Sequence, residues 1–536
     1  VTAGSHQDSS DASSPPPARR PRAAAAFVSL GILVSRVFGL VRQVLTAKFL
    51  GTSAAADAFT AAFKVPNILQ NLFGEGALSA SFIPVYSRLL AEGKEEEAGR
   101  VAGAIAALLM LVVAVVVLVG VVATPALIPL IAQGFDPEKK RMTITLTRIL
   151  FPGAGIFVVS AWCLGILNSH RRFLLSYSAP VLWNVAMIGA LVWFGESQQP
   201  LDLASTLAWA SVIGALLQFL VQVPTTLRLA RHLRFSLDTK SEHVRTVSRN
   251  FGPAFISRGV VQISGYIDIW LASFLPDGMV ATLSYAQTVY VLPVSLFGMA
   301  VSAAELPEMS RAIGDHDQVA TYLRGRLGVG LRNIAFFVIP SAAAFIAFGD
   351  VIAALLFQRG RFSAADSHYA WGILAGSAVG LLATTMGRLY SSTYYALHDT
   401  RTPLRFASVR VVLTTVLGYL FALPLPRLLG IDPHWGAAGL TASAGIAGWI
   451  EFLLLRSRMN RRIGVTGLSP RFIASLWAAA AVGAAVGWEV RRLTEHQNQF
   501  VARVLVLATY GLVYLATTVA LRVPEAANAI ARLRRR

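Results

Sequence analysis

The sequence predicts an all-α membrane protein of about fourteen transmembrane helices, arranged as two pseudo-symmetric six-helix lobes followed by two C-terminal helices. Three observations carry this reading. Only 14% of the 536 residues are charged and 55% are hydrophobic, whereas soluble chains carry about 25% charged residues. Apolar windows such as 101–122 and 501–521 have the roughly 20-residue length that crosses the hydrocarbon core. Short motifs of the first half also recur in the second.

Breaks at Gly, Pro and charge clusters place the spans near 27–50, 57–89, 100–131, 142–169, 173–195, 203–228, 246–275, 279–310, 327–348, 365–396, 403–424, 434–456, 470–490 and 500–522. The first six form an N-terminal lobe over 27–235, the next six a C-terminal lobe over 243–460, and the last two a unit over 468–524. Residues 1–22, rich in Ser, Pro, Ala and Arg, read as a disordered cytoplasmic tail. Residues 525–536 read as a basic cytoplasmic tail.

A net charge of +19 in a soluble domain would suggest nucleic acid, but here the basic residues sit in short clusters between apolar spans, which excludes that partner. Alternate loops are strongly basic, from Arg88/Lys94/Arg100 through Arg171/Arg172 to Arg456/Arg458/Arg461/Arg462. The intervening loops hold only Lys139/Lys140/Arg141, Arg359/Arg361, Arg427 and Arg491/Arg492. The positive-inside rule then puts both termini in the cytoplasm, which requires an even number of spans. The single cysteine, Cys163, lies in an apolar span and excludes a disulfide framework.

The internal repeat fixes the architecture. Leu72-Phe73-Gly74, Pro84 and Ser87-Arg88 recur as Leu296-Phe297-Gly298, Pro307 and Ser310-Arg311; Ser35-Arg36 recurs as Ser257-Arg258, and Pro66 is answered by Pro293. Two six-span halves of the same in-to-out sense imply lobes related by an axis along the membrane normal, with substrate between them, as in transporters.

Ionisable side chains at mid-bilayer cost about 2.5 to 3.5 kcal/mol each and need a wet cavity or a partner. Asp57, Lys64, Asn71 and Glu75 are spaced to share one helical stripe of the second span. Arg36 and Gln43 share a face of the first span, with Arg42 beside them and Gly39 between. Arg258, Gln262 and Gly265 form a line in the seventh span, with Asp268 on the next. Mutual neutralisation, Asp57 with Lys64 for example, is the simpler reading of any one of these. For the set it fails, because Arg36, Arg42, Lys64 and Arg258 outnumber Asp57 and Asp268. A surplus of Arg in a low-dielectric cleft selects a diphosphate or similar polyanion, which guanidinium grips bidentately. Arg388, two turns from its span end, reads as a snorkelling side chain.

The segments Ser35-Arg-Val-Phe-Gly-Leu-Val-Arg42, Ala56-Asp-Ala-Phe59, Ala62-Phe-Lys-Val-Pro-Asn67 and Gly74-Glu-Gly-Ala-Leu-Ser-Ala-Ser-Phe-Ile-Pro84 closely resemble the MurJ/MviN family of lipid II flippases. Leu356-Phe-Gln-Arg-Gly-Arg-Phe362 and Tyr394-Tyr-Ala-Leu-His-Asp-Thr-Arg-Thr-Pro403 extend the resemblance to nearly the whole chain. It implies a fourteen-helix member of the multidrug/oligosaccharidyl-lipid/polysaccharide exporter superfamily that works by alternating access. The family's essential cavity residues fall on Arg36, Arg42, Asp57, Lys64 and Glu75, and its polyprenyl-tail groove on residues 470–522. A second-span arginine of many members falls on Gln70 or Asn71 here, and the eighth-span arginine is absent from Tyr285-Ala-Gln-Thr288. Arg258 is expected to supply the missing charge. Asp268 resembles a carboxylate that binds sodium in some members; here Arg410 is expected to pair with it as a fixed cation, making sodium unnecessary.

The resemblance implies a transporter for lipid II, the undecaprenyl-diphosphate-linked disaccharide peptide of cell-wall synthesis, working as a monomer among membrane lipids. Two rivals share the superfamily: a flippase for another polyprenyl-diphosphate glycan, and a drug/cation antiporter, whose cavity would be acidic or aromatic. A membrane enzyme on polyprenyl-linked sugars would need an Asp-rich motif or His cluster, which the sequence lacks. No catalytic residue, metal site or cofactor is expected, and no Walker A motif is present.

Overall fold

In the computed structural model the described residues are 20–238, 241–312 and 314–527, and within helices the side chains of 20–30, 32, 74–76, 253, 254 and 256–264 fall outside the description. The described residues form long helices and no strand. They are α1 Arg20–Leu50, α2 over 54–91 in three sections, α3 Glu95–Ile131, α4 Pro137–Ser169, α5 Phe173–Phe194, α6 Pro200–Leu229 and α7 Glu242–Ala272. The second half repeats the plan with α8 Met279–Ser310, α9 His316–Phe357, α10 Ala364–Ala396, α11 Arg401–Ala422 and α12 Gly436–Ile463. Two further helices follow, α13 Pro470–Leu493 and α14 Gln499–Ala520. Eleven helices among the described residues, α3–α6 and α8–α14, are long and apolar enough to cross a membrane.

Local chemistry sets the starts. Ser53 caps α2, Asp136 followed by Pro137 opens α4, and Ser363 with Asp366 forms a capping box on α10. In each, side-chain oxygens take up the N–H groups that a first helical turn leaves unbonded. Two expectations change. Helix α1 already begins at Arg20, inside the expected tail; residues 1–19 and 528–536 lie outside the described residues. The ninth span, expected over 327–348, runs His316–Phe357, because the break at Phe348 (φ −136°, ψ 20°) is a kink and the helix resumes beyond it.

The repeat read in the sequence has a physical counterpart. Helix α2 is underwound into a π-helix over Gln70–Leu78 and α8 over Val294–Met299, so that Leu-Phe-Gly sits in a π segment in both halves. Each follows a proline, Pro66 or Pro293, whose missing N–H loosens the i→i−4 ladder and lets it slip.

One core cluster joins both halves at the end of the molecule that holds the turns near residues 51, 134, 277 and 360, and continues through the second half to Ala320, Tyr394 and Met459. A second cluster belongs to the first half, drawn from α2–α4 together with Val244 and Val247 at the start of α7. Helix α7 therefore begins in the packing of the first half and ends, at Ile269 and Leu271, in the shared core. Within the second half, α10 and α12 approach through glycines: a Cβ on Gly380 would lie 2.3 Å from the Gly445 Cα, so only glycine permits this spacing. Helices α13 and α14 lean on α9, where the Tyr510 hydroxyl donates to the Pro340 carbonyl and the Tyr514 hydroxyl to that of Phe336. Arg332 holds Glu525 beyond α14 at 2.6 Å.

Candidate functional site

At the joined end the halves meet in a dense polar seam. Asp57, in the first turn of α2, is buried and reaches across to the start of α8. Its carboxylate accepts the N–H of Gly278 at 2.7 Å and of Ala281 at 2.9 Å. These are unbonded donors at a helix N-terminus, where negative charge is favoured. Lys139, in the first turn of α4, donates to the same carboxylate at 3.1 Å and also to Asp277 of the opposite half. Its side chain is 4% exposed and that of Asp57 1%, so neither charge has water to fall back on. Around this core the Tyr285 hydroxyl donates to the Gly51 carbonyl (2.9 Å), the Arg361 N–H to that of Lys48 (2.8 Å) and the Thr52 hydroxyl to Asp366 (2.8 Å). Gly278 holds φ +86° and a Cβ there would meet the Thr52 carbonyl oxygen at 2.3 Å.

Beyond the seam the halves part around a cavity of about 560 Å³, lined from the first half by Arg36, Gly39, Arg42, Gln43 and Lys64 and from the second by Asp268, Ser284 and Gln287. Arg36 and Lys64 are exposed on its wall. Arg42 is held in place: its Nε donates to Asn184 Oδ1 at 3.1 Å and its guanidinium lies 4.7 Å over the Trp183 ring, both on α5. Gln43 reaches Ser284 across the cleft at 3.4 Å. Among the described lining residues of this cavity, three cations therefore face one carboxylate. A cavity of about 300 Å³ within the second half shares Asp268, Leu283, Gln287 and Val291 with the first, so the two form one chamber.

The structure brings together Arg36, Arg42, Gln43, Lys64 and Asp268, and corrects three expectations. Asp57 lines neither cavity; it belongs to the seam, and its cation is Lys139 rather than Lys64, which lies deeper along α2. The regular period behind the stripe through Asn71 and Glu75 stops at Gln70, where the π-helix begins and advances each residue by a smaller angle. Arg410 does not pair with Asp268: its guanidinium takes Glu451 of α12 at 3.1 Å, which removes the ground for expecting sodium to be unnecessary. Arg388 lines the smaller cavity. Asn71 is half-buried at the start of the π segment. The side chains of Glu75, Arg258 and Gln262 lie outside the described residues.

Sequence reasoning missed Lys139, Asp277 and Asn184. Lys139 carried a signal: a lysine in the first turn of a helix opposes the dipole and calls for an acidic partner. No comparable signal marks Asn184.

Two helical halves, fused at one end and separated below it by a basic chamber, define a membrane transporter with substrate access between lobes. The sequence profile described as "Lipid II flippase MurJ" matches residues 46–510. A probable lipid II flippase MurJ of Rhizobium meliloti (strain 1021) is 31% identical over 477 residues, covering 86% of each chain. The lipid II flippase MurJ of Burkholderia cenocepacia is 31% identical, covering 84% of this chain and 86% of its own. Among solved structures, a lipid II flippase MurJ in an inward closed conformation superposes with a TM-score of 0.76 at 24% identity, over 93% of this chain and 99% of that one. An inward-facing multidrug transporter of the MATE family gives 0.65 at 17% identity, over 82% and 98%. This chain belongs to the MurJ family of lipid II flippases, a family of multi-pass transporters of the bacterial inner membrane.

Proposed function

We propose that this protein moves lipid II from the cytoplasmic to the periplasmic leaflet by alternating access, supplying cell-wall synthesis. The observation that carries the reading is the chamber in which Arg36, Arg42 and Lys64 face the single carboxylate of Asp268. Uncompensated cations inside a bilayer are costly, and a diphosphate headgroup repays that cost through charge-assisted hydrogen bonds. Arg36 and Arg42 grip the pyrophosphate from the first half and Arg258 from the second, with Gln262, Asn71 and Glu75 completing the polar lining. The disaccharide peptide occupies the chamber while the polyprenyl tail stays in lipid along α13 and α14.

The basic loops support a chamber mouth and both termini on the cytoplasmic side, and in this reading α1, α2 and α7 also cross, for fourteen crossings. The seam is then the periplasmic gate, and the protein works as a monomer. A basic chamber disfavours organic cations, which argues against a drug antiporter.

The test is rescue of cells depleted of their own flippase. This chain restores growth and wall synthesis, and Arg42→Gln at equal membrane abundance does not. Rescue by an Arg36→Gln/Arg42→Gln double variant would remove the diphosphate from the account.

A further inference from the structure

The smaller cavity holds charges that pyrophosphate binding does not use. It lies inside the second half, between α7, α8, α10, α11 and α12, and is lined by Arg388, Arg410, Asp268, Tyr290, Thr384 and Thr441 among others. Helix α10 is the most enclosed of the eleven apolar helices, with 78% of its apolar window buried. Arg388 on that helix is nevertheless exposed, so its exposure is to the chamber. Among the described residues it has no ion-pair partner. Arg410 gives one edge to Glu451 and leaves its side chain 37% exposed. Both guanidiniums and the Tyr290 side chain line this one cavity.

Asp268 of α7 lines both cavities and is in ion-pair contact with no described cation. Bringing an opposite charge within hydrogen-bond reach stabilises each of these groups. The chamber keeps Arg388 and Asp268 apart, each short of a counter-charge.

We infer that this part of the chamber is a subsite for the zwitterionic peptide of the substrate, with a peptide carboxylate on Arg388 and Arg410 and the peptide's free ammonium on Asp268. This rests on the lipid II reading and assigns the end of the headgroup farthest from the pyrophosphate. Opposite charges displayed on separate walls suit a peptide bearing both signs, and suit neither a bare glycan nor a simple anion.

The experiment measures affinity of the detergent-purified full chain for three probes: lipid II, lipid II with its peptide carboxylates amidated, and lipid II with its peptide amine acetylated. Arg388→Gln is expected to weaken lipid II about tenfold, as the loss of one charge-assisted bond does, while leaving the amidated probe unchanged. Asp268→Asn is expected to weaken lipid II similarly and leave the acetylated probe unchanged. The inference is overturned if either variant weakens all three probes alike, or if neither weakens any. Arg42→Gln separates the two readings: it should weaken all three probes, and if it weakens none the pyrophosphate reading falls, whatever the subsite does.

Discussion

Asp57 and Lys64 lie seven residues apart on one helix, yet they belong to regions built on opposite principles. In the seam every charge is matched: Asp57 has a lysine and two backbone N–H groups, and Lys139 has two carboxylates. In the chamber Arg36, Arg42 and Lys64 share one distant carboxylate. A matched cluster around a buried Asp57–Lys139 pair holds one arrangement of the two halves, and an unmatched one waits for a ligand. The seam sets the state and the chamber sets the cargo.

The comparison breaks most visibly at Lys139. Lys139→Met strands a buried carboxylate, which costs about 3 to 5 kcal/mol, and the seam should open. A cysteine placed at Thr52 should then react with a polar thiol reagent at least about a hundredfold faster. Adding Asp57→Asn should recover part of the loss, and an unchanged labelling rate would show that this pair does not hold the seam. Arg42→Gln should do the reverse, lowering lipid II movement in reconstituted vesicles more than about tenfold while Thr52→Cys labelling stays at its original rate. Equal effects on both readouts would merge the two regions.

Smaller changes sharpen the boundary. Gly278→Ala forces an L-residue into the left-handed region at about 1 to 2 kcal/mol and against the Thr52 carbonyl, so labelling should rise about tenfold. Tyr285→Phe removes the hydroxyl that donates to the Gly51 carbonyl, worth about 1 kcal/mol, and should raise labelling about fivefold. The loop carboxylate Asp432 sets a baseline. The backbone N–H of His434, its imidazole and the Tyr369 hydroxyl hold its pKa down to about 2. A lowered folded pKa gives stability that is complete above the unfolded value near about 3.9 and is lost only as pH falls through about 2. Asp432→Asn should therefore leave the pH profile of transport between about 5 and 8 the same as that of the unsubstituted protein.

Much of the architecture was legible because it is written in local pattern. Leu72-Phe73-Gly74 and Leu296-Phe297-Gly298 announced matching segments of α2 and α8. The cationic wall was legible too, since Arg36, Gly39 and Gln43 share a helical face that periodicity alone identifies. Partners far along the chain were not. The cation of Asp57 lies 82 residues away, and two of its donors are backbone groups with no side-chain signature. Arg410 looked like the partner of Asp268 because a pairing argument sees only charge, whereas Glu451 on the adjacent helix lies within reach. The seven-residue period stops at Gln70 because the π turn changes the angular step, which a fixed period cannot register.

The most direct test is to lock the seam. Thr52 and Asp366 touch across it through a hydrogen bond, and the native Cys163 is buried, so Thr52→Cys with Asp366→Cys supplies an addressable pair for a short thiol cross-linker that can be cleaved. In reconstituted vesicles the cross-linked protein should move no lipid II, and cleaving the link should restore movement to the rate of the uncoupled protein. Undiminished movement with the seam covalently closed would contradict the account, because the chamber would then be discharging its cargo without the halves parting.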